Sequence, residues 1–148
     1  MCWQTIKQLL GGKSDALDGA GRKILVIDDG QVERSFMTQT LEKVGYQVVA
    51  RPDGASGVEA ALTYNPDLII LDYLMPKMDG NEVCRRIKTT PQLKNIPVIF
   101  LTGSTRPETV ITCYDVGAEH YLSKPIDAKT LLKHVRATLD DPASLAKS

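Results

Sequence analysis

The sequence has little of what several large classes of protein depend on. Its three cysteines, Cys2, Cys84 and Cys113, are too few and too widely spaced for a disulfide framework or a thiol metal site. Its hydrophobic runs are too short for a membrane helix, and residues 1–22 lack the features of a signal peptide. The 18 basic and 18 acidic residues cancel, so composition gives no reason to expect nucleic acid or membrane partners. We therefore expect a cytoplasmic protein with reduced thiols.

The 148 residues are enough for one domain with a hydrophobic core, because 43% of them are apolar. Residues 1–21 end in a small, polar, Gly-rich stretch, which indicates a flexible leader. The leader holds four apolar residues at roughly helical spacing: Trp3, Ile6, Leu9 and Leu10. They suit either a transient turn of helix or a short docking helix. The folded domain is expected at residues 22–140, and residues 141–148 form a polar tail.

Short apolar runs alternate with amphipathic stretches along the domain. Strands are predicted at residues 23–27, 46–50, 68–71, 98–101 and 120–122. Helices are predicted at residues 31–44, 53–64, 81–89, about 107–117 and 127–140. Strands that alternate with helices in this way are typical of a parallel sheet with right-handed crossovers and helices on both faces. The predicted fold class is therefore α/β, with a doubly wound, five-stranded parallel sheet.

The apolar periodicity also predicts which side of each helix faces the core. In the first helix this side holds Val32, Phe36, Met37, Leu41 and Val44. In the second it holds Val58, Ala61 and Leu62, and in the third Val83, Cys84 and Ile87. In the last it holds Leu131, Leu132, Val135 and Leu139.

Four of the predicted strands are followed by, or end in, a polar residue suited to chemistry. These residues are Asp28 and Asp29 after strand one, Asp72 after strand three, Thr102 at the end of strand four, and Lys124 after strand five. The carboxyl ends of parallel strands share one edge, and ligands bind in the crevice outside that edge. If strand one is central, the sequence predicts that the acids and the lysine converge in one site.

Three carboxylates in one site repel one another and need compensating positive charge. Oxygen ligands without His or Cys favour a hard cation such as Mg²⁺. Asp72 can then act as a nucleophile toward a phosphoryl group, while Mg²⁺ held by Asp28 and Asp29 neutralises one phosphoryl oxygen. Lys124 and Thr102 can contact the other phosphoryl oxygens. Any one of these residues alone would more often be a loop cap or a solvated charge, but their combination favours a function.

This ordered set of residues resembles the receiver domain of two-component response regulators. The resemblance is carried by Asp28-Asp29, the stretch Asp72-Tyr-Leu-Met-Pro-Lys-Met-Asp-Gly80, Leu101-Thr102-Gly103 and Lys124-Pro125. It covers about residues 23–139, and we expect the flavodoxin-like strand order 2-1-3-4-5. It implies that Asp72 accepts a phosphoryl group from a histidine kinase or a histidine phosphotransfer protein. Such a domain signals, and its only catalysis is its own phosphorylation and slow dephosphorylation.

The resemblance also implies roles for single residues around the acid cluster. Asp29 and Asp72 would ligate Mg²⁺ directly, Asp28 would act largely through water, and Leu74 would offer its backbone carbonyl. We expect the protein itself to bind neither nucleic acid nor a membrane.

The same resemblance implies a signalling switch. Thr102 and Tyr121 match the switch pair of the family. On phosphorylation the face formed by helix four, strand five and helix five would change shape and signal to a downstream protein, and the same face would form any homodimer.

One position near the site departs from the usual residue of this family, and two others bear on how long the phosphoryl group lasts. Gly103 stands where Ala is more usual, so the loop after strand four has more freedom. Leu74 and Ser104 occupy the positions that modulate access of the hydrolytic water. Because Leu74 is apolar, we expect a phosphoaspartate that lasts on the order of minutes or longer.

Three other interpretations of the sequence compete with this one. A pseudo-receiver that binds its partners constitutively would not need to keep the acids, the hydroxyl and the lysine intact. A phosphatase that uses an aspartyl phosphate would usually have a second acid two residues after Asp72, where this chain has Leu74. A nucleotide-binding module would need a Gly-rich phosphate loop after strand one. The sequence favours a phosphoaccepting domain over all three.

Overall fold

The computed structural model describes residues 21–104 and 106–140 of the chain. In chain order they form β1 (Lys23–Ile27), α1 (Gln31–Lys43), β2 (Gln47–Arg51), α2 (Gly54–Tyr64), β3 (Leu68–Leu71), α3 (Gly80–Thr89), β4 (Val98–Thr102), α4 (Pro107–Asp115), β5 (His120–Ser123) and α5 (Ala128–Asp140). Each predicted strand and helix is present, with ends displaced by at most two residues. The predicted leader up to residue 20 and the tail at 141–148 lie outside the described residues. None of the helices in the described ranges has the length and apolar character needed to cross a membrane.

The five strands form one parallel sheet in the order β2-β1-β3-β4-β5, which confirms the predicted fold class and strand order. β1 therefore lies between β2 and β3. Ile27, the last residue of β1, is in register with Leu71, the last residue of β3. The two strands end side by side, so the residues that follow them start from the same place. This is the point where the strand order reverses, and in such sheets it is where ligands bind.

Aspartates begin three of the helices. Asp53 accepts a hydrogen bond from the backbone N–H of Ser56 at 2.8 Å and so caps α2. Asp79 caps α3 through the N–H of Glu82 in the same way, at 2.9 Å. Asp127 caps α5 by accepting from the N–H of Thr130 at 2.7 Å. The α3 cap lies within the loop that follows β3, so it also fixes the chain beside Asp72.

The sheet divides the core into two layers. Ile24 and Val26 of β1 face the layer that α1 and α5 complete, whereas Leu25 and Ile27 face the layer that α2, α3 and α4 complete. This alternation follows from the period of two along a strand. All four residues of β3 are buried, as predicted for a strand covered on both faces.

Two helices bury only part of the stripe predicted for them, which includes the buried Met37, Leu41, Val44 and Ala61. Val32 is 79% exposed, Phe36 is 38% exposed and Leu62 is 51% exposed, although all three were predicted to face the core. In α1 the core stripe is Met37 and Leu41, and Phe36 lies about 100° around the helix from Met37, so it falls on the neighbouring stripe. The same one-residue offset places Leu62 on the exposed side of α2, next to the buried Ala60 and Ala61.

Candidate functional site

The acids predicted to converge lie together at the carboxyl edge of the sheet. Asp28 and Asp29 follow β1, and Asp72 follows the adjacent β3, where its backbone N–H donates to the carbonyl of Ile27 at 2.9 Å. Each acid offers one carboxylate oxygen, and these oxygens all lie within 4.8 Å of one another. Asp28 and Asp72 are buried, whereas Asp29 is exposed. The pairing of β1 with β3 therefore concentrates negative charge at a partly buried point.

Lys124 brings positive charge to the same point from the end of β5. Its Nζ lies 2.7 Å from Oδ2 of Asp28 and 3.2 Å from Oδ2 of Asp72. Its backbone N–H donates to the carbonyl of Thr102 at 2.9 Å, so the pairing of β4 with β5 fixes the position of the lysine backbone at the sheet edge. The sheet thus brings together the three acids and the lysine that the sequence predicted.

The electrostatics of the site follow from burial and from this cluster. Burial raises the pKa of Asp72 above its usual value, the charge of Asp28 raises it further, and Lys124 opposes both effects. Burial by itself lowers the pKa of Lys124, but its hydrogen bonds and charge interactions with Asp28 and Asp72 outweigh burial and leave the pKa raised. Lys124 is therefore charged at neutral pH, yet it does not fully compensate Asp72, and a further cation would be favourable here.

The donors fit a hard divalent cation such as Mg²⁺. All three are carboxylates, their oxygens are close enough to share one ion, and the exposed Asp29 leaves a side open to water. Asp28 has other partners, because its Oδ1 accepts from the N–H of Gly30 at 2.8 Å and its Oδ2 contacts Lys124. The predicted ligation by the Leu74 carbonyl, and the division between direct and water-mediated ligands, stay predictions.

The proposed switch residues are joined through Ser104. Thr102 is fully buried at the end of β4, and its Oγ1 accepts a long hydrogen bond of 3.4 Å from the backbone N–H of Ser104. The hydroxyl of Tyr121 donates to the carbonyl of Ser104, and the half-buried ring packs against the core. Ser104 Oγ lies 3.1 Å from Oγ1 of Thr109 in the first turn of α4. A single loop residue therefore contacts Thr102, Tyr121 and α4.

Two supporting residues of the site were missed by the sequence reasoning. Arg34 donates from Nη1 to the carbonyl of Asp28 at 2.7 Å and holds the β1–α1 loop. Gly80 donates to the carbonyl of Tyr73 at 2.7 Å, and a Cβ at this position would collide with the backbone oxygen of Asp72. The Asp79-Gly80 pair after β3 was a usable signal for the second, because a glycine in a tight loop often marks a close backbone approach. The local sequence held no comparable signal for Arg34.

Comparison with known proteins adds three results. Residues 24–136 match the family model described as the response regulator receiver domain. The chain is 35% identical to protein PilH of Pseudomonas aeruginosa over 117 residues, which cover 79% of this chain and 97% of PilH. Among solved structures, chemotaxis protein CheY4 of Vibrio cholerae superposes with a TM-score of 0.76 and 35% identity, over 79% of this chain and 98% of that chain.

Several relatives are longer than the matched region. The chain is 39% identical over 117 residues to the DNA-binding dual master transcriptional regulator RpaA of Synechocystis, and the match covers 79% of this chain but 48% of RpaA. The chain spans about half the length, or less, of the first curated relatives it matches. The similarity to those relatives therefore concerns one domain of each.

Proposed function

Because this chain belongs to the response regulator receiver domain family, we propose that Asp72 is its phosphoacceptor. Receiver domains are signalling domains of two-component systems, and accepting a phosphoryl group is general in the family. One observation carries the proposal for this chain: the buried Asp72 carboxylate lies 3.2 Å from the Lys124 ammonium, within a cluster of three acids. A nucleophile, a cation and candidate metal ligands therefore share one crevice.

The transfer can be written from these residues. A carboxylate oxygen of Asp72 attacks the phosphorus of a donor phosphohistidine, and an O–P bond forms as the P–N bond breaks. The electron pair of the broken bond stays on the imidazole nitrogen, which takes up a proton from water. Lys124 can exchange its contact with Asp72 for a contact with a phosphoryl oxygen as negative charge develops there, because its Nζ already lies beside both Asp72 and Asp28.

Asp28, Asp29 and Asp72, with the Leu74 carbonyl, would hold Mg²⁺. When bound, Mg²⁺ supplies positive charge that lowers the repulsion between the acids and the anionic phosphoryl group. The carboxylate of Asp28 is held in a fixed orientation, since one of its oxygens accepts from Gly30 and the other contacts Lys124. The raised pKa of Asp72 is consistent with a site whose acids are short of positive charge.

Thr102 and Tyr121 are proposed to pass the signal to the face formed by α4, β5 and α5. A phosphoryl group on Asp72 would attract the Thr102 hydroxyl, which at present accepts from Ser104. Ser104 also accepts from Tyr121, so a movement of this loop would change the surroundings of the Tyr121 ring. On the α4 part of the face, Ile111 is 60% exposed and Tyr114 is 48% exposed, which suits contact with a protein. Two states of this face, differently populated, would carry the signal.

The proposed partners follow from this chemistry. The donor is a histidine kinase or a histidine phosphotransfer protein, and the receiver of the signal is a downstream protein or output domain that contacts the α4–β5–α5 face. A homodimer through the same face is the proposed oligomer. The only reactions proposed for the domain are phosphorylation and slow dephosphorylation of its own Asp72.

The test is phosphorylation by a small donor. The purified protein is incubated with acetyl phosphate, with Mg²⁺ or with a chelator, and its intact mass and peptide map are followed over time. We expect one phosphoryl group, on Asp72, that requires Mg²⁺ and is lost in Asp72→Asn. The exposed Asp115→Asn on α4 is the matched control and should be phosphorylated like the wild type. Absence of both modification and Mg²⁺ binding would instead favour a constitutive interaction module.

A further inference from the structure

A groove runs between α1 and α5 and opens beside Lys124. Its upper part, of about 480 Å³, has an apolar lining of Val32, Phe36, Met37, Leu101, Pro125 and Ile126. Its lower part, of about 340 Å³, is lined by the apolar Phe36, Val44, Ala128 and Leu132 together with the polar Gln39, Thr40 and Lys43. Phe36 lines both parts, so the two form one groove along the length of α1. We refer to it as the α1–α5 groove.

The apolar side chains of this groove are only partly covered. Val32 is 79% exposed and Phe36 is 38% exposed, and both line the groove. Complete burial of a Val or Phe side chain contributes about 1.5–3 kcal/mol. A segment that covered both side chains would therefore gain a useful fraction of that amount.

The chain enters the domain at the lower end of the same groove. Arg22 donates from Nη2 to the carbonyl of Leu139 at 3.3 Å, and its own carbonyl accepts from the N–H of Gln47 at 2.9 Å. These contacts place Arg22 at the end of α5. Leu132, in the groove, precedes Leu139 by seven residues on α5, or about 10 Å along the helix axis. Whatever precedes Arg22 therefore starts close to the groove.

The preceding sequence has both the apolar residues and the reach to fill it. Residues 1–20 lie outside the described part of the structure, but their sequence spaces Trp3, Ile6, Leu9 and Leu10 as on one side of a helix. Eleven residues, many of them Gly or small, separate Leu10 from Arg22. For a Gly-rich sequence of that length, polymer statistics give a root-mean-square span of about 18 Å, which is long enough to reach the groove. Such a tether holds its end at an effective concentration of about a millimolar.

We propose that the segment from Trp3 to Leu10 docks with its apolar side in the α1–α5 groove of its own chain. The segment covers Phe36 and Val32, and its position flanks Lys124 and Pro125 at the edge of the acid site. Asp72 stays open to a small donor. This goes beyond the proposed phosphoacceptor function and does not depend on it, because docking requires no phosphoryl group.

Trp3 provides the test, because it is the one tryptophan of the chain. In the full chain without phosphodonor, we expect blue-shifted emission and acrylamide quenching about threefold weaker than after denaturation, as for a tethered and mostly docked ring. Phe36→Gln should shift the emission to the red and restore the quenching. Ile111→Gln, which removes an even more exposed apolar side chain from α4, should leave both unchanged.

A second variant tests the same contact from the other side and leaves the folded domain untouched. Leu9→Ser with Leu10→Ser should change the amide NMR shifts of groove residues on α1 and α5, with little change on α2 and α3. Docking within one chain also predicts quenching that is independent of protein concentration. The proposal would be overturned if acrylamide quenched Trp3 of the native wild type as strongly as after denaturation. A Phe36→Gln variant with the emission and quenching of the wild type would overturn it as well. Loss of protection on dilution would overturn it too, since it would mean that a second copy occupies the groove.

Discussion

The ammonium group of Lys124 lies 2.7 Å from the carboxylate of Asp28, closer than the 3.2 Å that separates it from Asp72. The side chain of Asp28 is 1% exposed and that of Lys124 is 21% exposed, so the carboxylate of this ion pair is buried and its ammonium is only partly exposed. Lys124→Met would leave the two buried carboxylates without their cation, and we expect a loss of about 3 kcal/mol at pH 7. Urea unfolding followed by circular dichroism measures it, with the exposed Lys94→Met as the control.

The loss in Lys124→Met should depend on pH in a defined way. The folded state raises the pKa of Lys124 above its usual 10.5, so the contribution of the ion pair is complete below pH 10.5 and is lost as pH rises through the folded value. At low pH Asp72, whose pKa is raised, becomes protonated, and the cost of removing the lysine should shrink. A loss that is equal at pH 4 and pH 7 would show that packing of the lysine stem, rather than charge, is responsible.

Asp72→Asn should make the protein more stable at neutral pH. The pKa of Asp72 is raised in the folded state, first by burial and then by Asp28. The folded state therefore binds the Asp72 proton more tightly than the unfolded state, and stability falls as pH rises from the usual value of 3.8 through the folded value. Above that pH range Asp72 is ionised in both states, and burial of its charge lowers the stability of the folded state in full. Removal of the charge should therefore raise the free energy of unfolding by about 1 kcal/mol.

Thermal unfolding of Asp72→Asn in the absence of divalent ions checks this sign. The gain should be present at pH 7 and should disappear below about pH 3.8, where wild-type Asp72 is protonated in both states. Asp115→Asn, exposed on α4, should show no such gain. A lower melting temperature for Asp72→Asn at pH 7 would mean that the bond to Lys124 outweighs burial and repulsion.

The positions of the site acids could be predicted because a parallel sheet places all its strand ends at one edge. The apolar runs located those ends to within one residue, so Asp28, Asp72 and Lys124 followed directly. Helix faces were less predictable. In α1 two apolar stripes lie side by side, and periodicity alone could not tell the core stripe of Met37 from the exposed stripe of Phe36. The placement of α5 beside α1 decides between them.

Leu74→Asn tests the expected persistence of the phosphoaspartate. Leu74 follows Asp72 by two residues and is 62% exposed, so it is not part of the core and its replacement should not disturb the fold. An amide at this position could orient a water molecule toward the phosphorus, and we expect dephosphorylation at least about tenfold faster, or about 1.4 kcal/mol of barrier. Decay is followed by intact mass after removal of the donor. Leu62→Asn, also an exposed leucine, is the control, and an unchanged decay rate for Leu74→Asn would contradict the role of Leu74.

Tyr121→Phe removes the hydroxyl that donates to the carbonyl of Ser104. A hydrogen bond of this kind contributes about 1 kcal/mol, so the loop between β4 and α4 should open more often. Amide hydrogen exchange at Ser104 should accelerate about fivefold, while phosphorylation by acetyl phosphate proceeds because Tyr121 is not in contact with the acid cluster. Tyr114→Phe, on the exposed side of α4, should change neither property. If Tyr121→Phe blocked phosphorylation, its assignment as a switch residue would be wrong.

Sequence reasoning did not find the ion pair between Lys88 and Glu119 at the opposite edge of the sheet. Lys88 Nζ lies 3.1 Å from Oε1 of Glu119 and 2.8 Å from the carbonyl of Ile96. Glu119 Oε2 in turn accepts from the N–H of Val98 at 2.6 Å. The two residues are 31 positions apart, and each reads locally as an ordinary surface charge. Their pairing depends on α3 packing beside the start of β5, which no local pattern encodes.

Glu119→Gln should therefore be costly although it lies far from the site. The side chains of Lys88 and Glu119 are only 14% and 8% exposed, so the change leaves a largely buried ammonium without its counter-charge, and we expect a loss of about 3 kcal/mol. Glu82→Gln is the matched control, because Glu82 pairs with Arg85 and Arg86 on the surface of α3, where such pairs contribute about 0.5 kcal/mol or less. Urea unfolding of the two variants measures the difference. Since the pair joins α3 to β5 away from Asp72, acetyl phosphate should still modify Glu119→Gln wherever it is folded. Equal losses in the two variants would mean that water reaches Lys88 and that the pair does not hold this edge together.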